Sequence, residues 1–167
     1  RALDAERPIG SLMKPAVYLA ALESGRYTLM SPLDDGPVAY KGANGQVWRP
    51  RNYDREDHGM VRLYRALAQS YNQSTARLGP DMGIDRVVDV IHRLGVEREV
   101  PALPSVTLGA VALSPFEVAG MYQTIASGGF ASPLSSIREV MDDSNRPLTR
   151  YPVAVQQRVR QSAVYLL

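Results

Sequence analysis

Ser11 and Lys14, three residues apart, are the first pair in this 167-residue sequence whose types and spacing can do chemistry. On a helix, positions i and i+3 share a face, with Cβ atoms roughly 5–6 Å apart. A serine hydroxyl at a helix start is then within reach of a lysine amine one turn on. A hydroxyl is a weak nucleophile until a base takes its proton, and lysine can be that base only when neutral. From an ordinary value of about 10.4, a half-neutral lysine at pH 7 needs about 4.6 kcal/mol set against its charged form. Burial and a neighbouring charge together can supply that much. Backbone N–H groups at the helix start also suit a developing oxyanion. The same spacing fits a helix-capping serine with a solvated lysine. The apolar run after Lys14 argues against that, because a charged amine sits awkwardly within it.

A second constellation is Ser70-Tyr71-Asn72. A hydroxyl both donates and accepts, and so does a carboxamide through its two ends. Two such groups in a loop between helices could relay a proton to a leaving amine and hold Lys14 or a substrate. Taken alone, ordinary helix capping explains this pair better.

The elements that must position these groups are mostly helical. Residues 12–23 (Leu12, Met13, Ala16, Val17, Leu19, Ala20, Leu22) have the pattern of a buried helix stopped by Ser24-Gly25. Pro15 lies early in it, where a missing N–H costs least. A helix is predicted from about Val61 to Gln69, with Leu63, Tyr64, Leu67 and Ala68 inward, and another begins just after Asn72. Over 83–94, Ile84, Val87, Val88, Ile91 and Leu94 recur at helical spacing and Gly95 closes the run. Ser114-Pro115-Phe116-Glu117 has the cap, first-turn proline and capping-box glutamate of a further helix, ending at Ser127-Gly128-Gly129. Short strands are predicted at 134–140 and 147–151 around Asp142-Asp143-Ser144-Asn145, and helix from about Val155. Val38-Ala39-Tyr40 and Gln46-Val47-Trp48 flank Asn44-Gly45, a hairpin turn signal. So helical a set needs a partner layer to cover it.

Composition excludes several functions. With 45% hydrophobic and 22% charged residues, the chain can bury a core and stay soluble. Its net charge is +2 and both signs are mixed along it, so no basic cluster offers a nucleic-acid surface. Without cysteine there is no disulfide, thiolate zinc site or cysteine nucleophile. No apolar run approaches the roughly 18 residues of a membrane span, and no leader pattern opens the sequence. The start at Arg1-Ala2 and the apolar end at Val164-Tyr165-Leu166-Leu167 are expected to be cuts in a longer chain. His58 and His92 lack metal-ligand spacing and are expected in surface or capping roles. Asp34-Asp35 and Asp142-Asp143 lie in turn-like stretches, where adjacent acids are expected to be solvated. Trp48 and the nine tyrosines read as core or surface filler.

Together the two constellations resemble the active-site serine penicillin-recognising family, whose motifs are S-x-x-K, S-D-N and K-T-G. The wider likeness is to class A penicillin-binding proteins of the Gram-negative 1b branch. It is carried by Pro8-Ile9-Gly10-Ser11-Leu12-Met13-Lys14-Pro15 and Arg65-Ala66-Leu67-Ala68-Gln69-Ser70-Tyr71-Asn72, then by residues 108–119 and 122–129. The resemblance implies an α/β (α+β) fold: the mostly helical part of a serine β-lactamase/penicillin-binding transpeptidase-like domain, its central sheet strands largely missing from residues 1–167. It implies that Ser11 attacks the penultimate D-Ala carbonyl of a stem peptide with Lys14 as base. Ser70 and Asn72 then manage the leaving-group proton and orient substrate, and the acyl group passes to an amine on a neighbouring stem peptide. β-Lactams are expected to acylate the same serine, with no cofactor or metal. The parent protein is expected to carry a glycosyltransferase and a membrane anchor at the periplasmic face of the inner membrane, with a regulatory lipoprotein and cell-division proteins as partners. Two alternatives are a D,D-carboxypeptidase or β-lactamase of the same superfamily, and a non-catalytic scaffold domain. No lysine follows Asn72, so K-T-G is absent and these residues alone are expected to be catalytically weak or dead.

Overall fold

The computed structural model describes residues 2–42 and 45–167. Its helices are α1 (Lys14–Glu23), α2 (Leu63–Ala68), α3 (Asn72–Met82), α4 (Ile84–Arg93), α5 (Pro115–Ala126) and α6 (Gln161–Leu166). Its strands are β1 (Arg7–Pro8), β2 (Pro32–Asp34), β3 (Tyr40–Lys41), β4 (Val47–Trp48), β5 (Met60–Arg62), β6 (Ala112–Leu113), β7 (Phe130–Ala131), β8 (Glu139–Met141), β9 (Pro147–Arg150) and β10 (Gln156–Gln157). Among the described residues the strands pair only two by two, all antiparallel: β1 with β6, β2 with β5, β3 with β4, β8 with β9 and β7 with β10. The helices therefore form the body, and no central sheet is present among these residues.

Helix α1 is apolar on all sides, and such a helix is stable only when covered all round. Ala16, Val17, Tyr18, Leu19 and Ala21 are fully buried, with α2, α3, α4 and α6 packed about them. Helix α4 is the amphipathic wall of this core. Val87, Ile91 and Leu94 turn inward as their spacing predicts, joined by Val90, while Ile84 and Val88 pack at the margin. Ile91 is fully buried, so Ile91→Ala is expected to lower unfolding stability by about 2–5 kcal/mol in denaturant melts. Helix α5 begins with both halves of the predicted capping box: Ser114 N donates to Glu117 Oε2 at 2.8 Å, and Glu117 N to Ser114 Oγ at 3.3 Å.

Several boundaries differ from the sequence reading. The helix expected from residue 12 opens instead with a 3₁₀ turn, Gly10–Met13, and α1 starts at Lys14. The helix expected from Val61 starts at Leu63, because Met60–Arg62 pairs with Pro32–Asp34. Fewer than two turns long, α2 buries only Leu63 and Ala66; Tyr64 and Ala68 face outward. The segment from Val155 forms β10 against β7 before α6 begins at Gln161, since the Gly128-Gly129 reversal brings Phe130 alongside Gln157. The hairpin at 139–150 forms in shortened form. In the β3–β4 hairpin Tyr40 and Trp48 stack at 5.9 Å; Asn44 of its expected turn lies outside the described residues.

Candidate active site

Ser11 lies in the 3₁₀ turn that precedes α1, on an exposed stretch of chain. Backbone pairing fixes that turn from one side. Strands β1 and β6 bring residues 109–113 alongside, with Ile9 N donating to Val111 O and Gly10 N to Gly109 O, both at 3.3 Å. Gly109 has φ +73°, and a Cβ there would collide with the Gly10 backbone. Glycine is thus required where the two segments cross. From the other side Tyr122 of α5 donates its hydroxyl to Leu12 O at 3.1 Å. Arg98 pairs with both Glu6 and Glu117, tying the chain before Ser11 to the first turn of α5. An apolar groove of about 560 Å³ runs along the Ile9 and Leu12 side of the turn, walled by Leu113, Val118 and Tyr122.

Lys14 opens α1 and is 1% exposed. One turn further on, Tyr18 donates to Thr75 Oγ1 at 2.9 Å, the Thr75 hydroxyl hydrogen being engaged by Tyr71 O at 2.6 Å. Thr75 is three residues past Asn72, so this bond locks the face of α1 bearing Lys14 against the face of α3 bearing Asn72. Lys14 Nζ meets three acceptors: Ser70 O at 2.5 Å, Asn72 Oδ1 at 2.7 Å and Ser70 Oγ at 2.9 Å. An ammonium has three N–H groups, so the charged form is fully satisfied.

Ser70 reaches this position through a left-handed backbone, φ +54°, in the turn after α2. A non-glycine residue in that region carries strain of about 1–3 kcal/mol. Hydrogen bonds from Ser70 N to Leu67 O and Tyr71 N to Ala66 O, each 2.9 Å, hold it there. The conformation sends both the Ser70 carbonyl and its hydroxyl to Lys14. The Ser70 hydroxyl also donates to Ser11 Oγ at 3.2 Å. The structure thus brings all four sequence-predicted residues together. The contacts run from Ser11 to Ser70 to Lys14, with Ser70 bridging the pair whose spacing suggests a direct approach.

Burial lowers Lys14 from its ordinary value to about 8, with the charge of Asp35 pulling the other way. That stops short of the half-neutral state at pH 7, leaving about a tenth of the amine unprotonated there.

Two sequence expectations are overturned behind this cluster. Asp35 is not a solvated turn acid: it has no exposed surface. It accepts from Asn52 Nδ2 at 2.6 Å, from His58 Nδ1 at 2.8 Å and from Ser74 N at 2.9 Å. His58 is no simple surface histidine either. Its ring stacks on Tyr71, centroids 4.0 Å apart, and its hydrogen bond to Asp35 raises its pKa. His92 is exposed, as the surface expectation has it, with its Nδ1 2.7 Å from Val96 O just past the end of α4. Nothing in the sequence marks Asn52, because it lies in an irregular segment with no period to link it to α3, whose first N–H groups it accepts from.

The model of the penicillin-binding protein transpeptidase domain matches residues 1–166. The chain belongs to this family. Similar proteins include penicillin-binding protein 1B of Vibrio cholerae, 47% identical over 99% of this chain, and that of Escherichia coli, 41% identical over 99%. The chain spans 22% and 20% of the lengths of these curated relatives. In structure it superimposes on penicillin-binding protein 1A of Haemophilus influenzae with a TM-score of 0.86 and 31% identity, covering 93% of this chain and 23% of that one. An imipenem acyl-enzyme of penicillin-binding protein A from M. tuberculosis shares the fold, with a TM-score of 0.84 at 22% identity, over 99% of this chain and 43% of that one. These residues are therefore a 1B-type class A transpeptidase domain, of the kind that works in cell-wall synthesis. Among the described residues no helix is long and apolar enough to cross a membrane.

Proposed function

We propose that this chain carries the acylating half of a serine D,D-transpeptidase that cross-links peptidoglycan stem peptides. The observation that carries the proposal is the threefold coordination of Lys14. When the amine loses a proton it needs a donor for its lone pair. Ser70 O is a carbonyl oxygen, and Asn72 Oδ1 is an amide oxygen whose orientation is fixed by Asn72 Nδ2 donating to Arg51 O at 2.8 Å. Of the three partners only the Ser70 hydroxyl has a hydrogen to give, and that hydroxyl also touches Ser11.

Reversing these hydrogen bonds gives the chemistry. Ser11 Oγ attacks the carbonyl of the penultimate D-Ala while its proton passes to Ser70 Oγ and the Ser70 proton passes to Lys14. The tetrahedral intermediate collapses by breaking the C–N bond, and the same path returns a proton to the departing D-Ala amine. An amine of a second stem peptide then attacks the ester and releases Ser11. A β-lactam presents a strained amide to the same oxygen and acylates it. The chain holds only two lysines, Lys14 and Lys41, so a K-T-G strand has to come from elsewhere in a longer protein. Residues 1–167 alone should therefore acylate slowly or not at all. The complete protein is proposed to add a glycosyltransferase and a membrane anchor at the periplasmic face, with a regulatory lipoprotein and cell-division proteins as partners.

Product analysis tests this reading. Incubated with a stem pentapeptide and an acceptor stem peptide, the complete protein should release D-Ala and form a cross-linked amide visible by mass. Tetrapeptide without cross-link would instead identify a D,D-carboxypeptidase, and absence of any product or drug adduct a scaffold.

A further inference from the structure

Helix α3 carries Asn72 to Lys14, yet no side chain next to it in sequence caps its N-terminus. The first N–H groups of a helix have no intrahelical partner and must find one elsewhere. Here they find it in two distant loops. Asn52 Oδ1 accepts from Asn72 N at 2.7 Å and from Gln73 N at 3.3 Å, and Asp35 Oδ1 accepts from Ser74 N at 2.9 Å. The two caps are themselves joined, Asn52 Nδ2 donating to Asp35 Oδ2 at 2.6 Å and to Glu56 O at 2.9 Å. That donation fixes which end of the Asn52 amide faces α3. Asn52 is 5% exposed and Asp35 fully buried, so neither group can trade its partners for water. Gln73 fastens the same loops from the helix side, its Nε2 donating to Asp35 O at 2.7 Å and Asp57 Oδ1 at 2.6 Å. His58 covers the Asp35 carboxylate and stacks on Tyr71, between the two motif residues.

We infer that Asn52 and Asp35 are positioning residues for acylation: as a bonded pair they seat the first turn of α3 so that Asn72 Oδ1 meets Lys14 Nζ. The inference rests on Ser11 and Lys14 having the roles proposed above. Asn52 acts through geometry alone, because it is neutral at every pH. Asp35 acts through geometry and charge: a buried carboxylate behind the amine favours its protonated form, the direction in which Asp35 acts on Lys14. The other titratable groups around Asp35 are Tyr18 of α1, His58, Asp54 on the far side of the imidazole, Glu56 and Asp57. Substituting Asp35 or Asn52 removes none of these groups.

The experiment follows acylation of the complete protein by a fluorescent penicillin from pH 6 to 10, resolving the limiting rate from the pre-acylation dissociation constant. Each variant is first shown to be folded by its thermal melt. Asn52→Ala should lower the limiting rate about 10- to 100-fold, the scale set by a small misplacement of a reacting group, with the dissociation constant within about twofold. Asp35→Asn should shift the midpoint of the rate's rise with pH below that of wild type. Folding damage would shrink the reactive fraction at every pH and leave the midpoint in place. A folded Asn52→Ala protein acylating at the wild-type rate would overturn the inference, as would an unmoved midpoint in folded Asp35→Asn; either variant decides if the other does not fold. A wild-type protein lacking an adduct that Ser11→Ala removes would instead bring down the underlying reading, and this inference with it.

Discussion

Replacing Lys14 with methionine is expected to lower the acylation rate about 10³- to 10⁴-fold, the upper range for losing a general base, and to flatten its dependence on pH. Methionine fills most of the buried volume but supplies no lone pair to receive the Ser70 proton. In the wild type only the neutral amine can do so, and burial brings Lys14 to about 8. Acylation should therefore rise with pH and level off above about 8. The same shift predicts a stability effect of defined sign. The folded value lies below the ordinary 10.5, so between about 8 and 10.5 the unfolded chain binds more protons. The wild type should gain stability relative to Lys14→Met as pH rises across that window, and show a constant difference below it. Denaturant melts of both proteins at pH 7 and pH 10 check the sign; a difference shrinking in the other direction would contradict it.

Ser70→Ala should cost about 10²- to 10³-fold in acylation at neutral pH. It leaves the Ser70 carbonyl and Asn72 Oδ1 on Lys14 but removes the one hydroxyl that reaches both Lys14 and Ser11. Strain at φ +54° complicates any change at this position, and Ser70→Gly separates the two effects. Glycine adopts that backbone without penalty. The Gly variant should thus melt no lower than the Ala variant while acylating just as slowly. A Gly variant acylating at the wild-type rate would show that the hydroxyl carries no proton.

Much of this site was legible because its signals are local. Ser11 and Lys14 are separated by one turn, and the apolar run after them announces burial. The α4 period and the α5 capping box are likewise written within a dozen residues. What escaped reading lies between segments without a period. Asp35 looks like half of an exposed acidic pair until α3 is laid across it, and Asn52 looks like one more polar loop residue. The contacts that tie them to each other and to α3 span between 17 and 39 residues. The bridging place of Ser70 was hidden for another reason. It depends on a left-handed turn at a serine, a conformation no neighbouring residue advertises. Tyr64 and Ala68 face outward, against their period, because a helix as short as α2 follows the strand that anchors it.

The most direct test of Ser11 as the nucleophile is the intact mass of the complete protein before and after a β-lactam, with Ser11→Ala alongside and the adduct located by peptide mapping. One stable adduct on the peptide bearing Ser11, absent in Ser11→Ala, is the expected result. An adduct on another residue, or one that persists in Ser11→Ala, would contradict it.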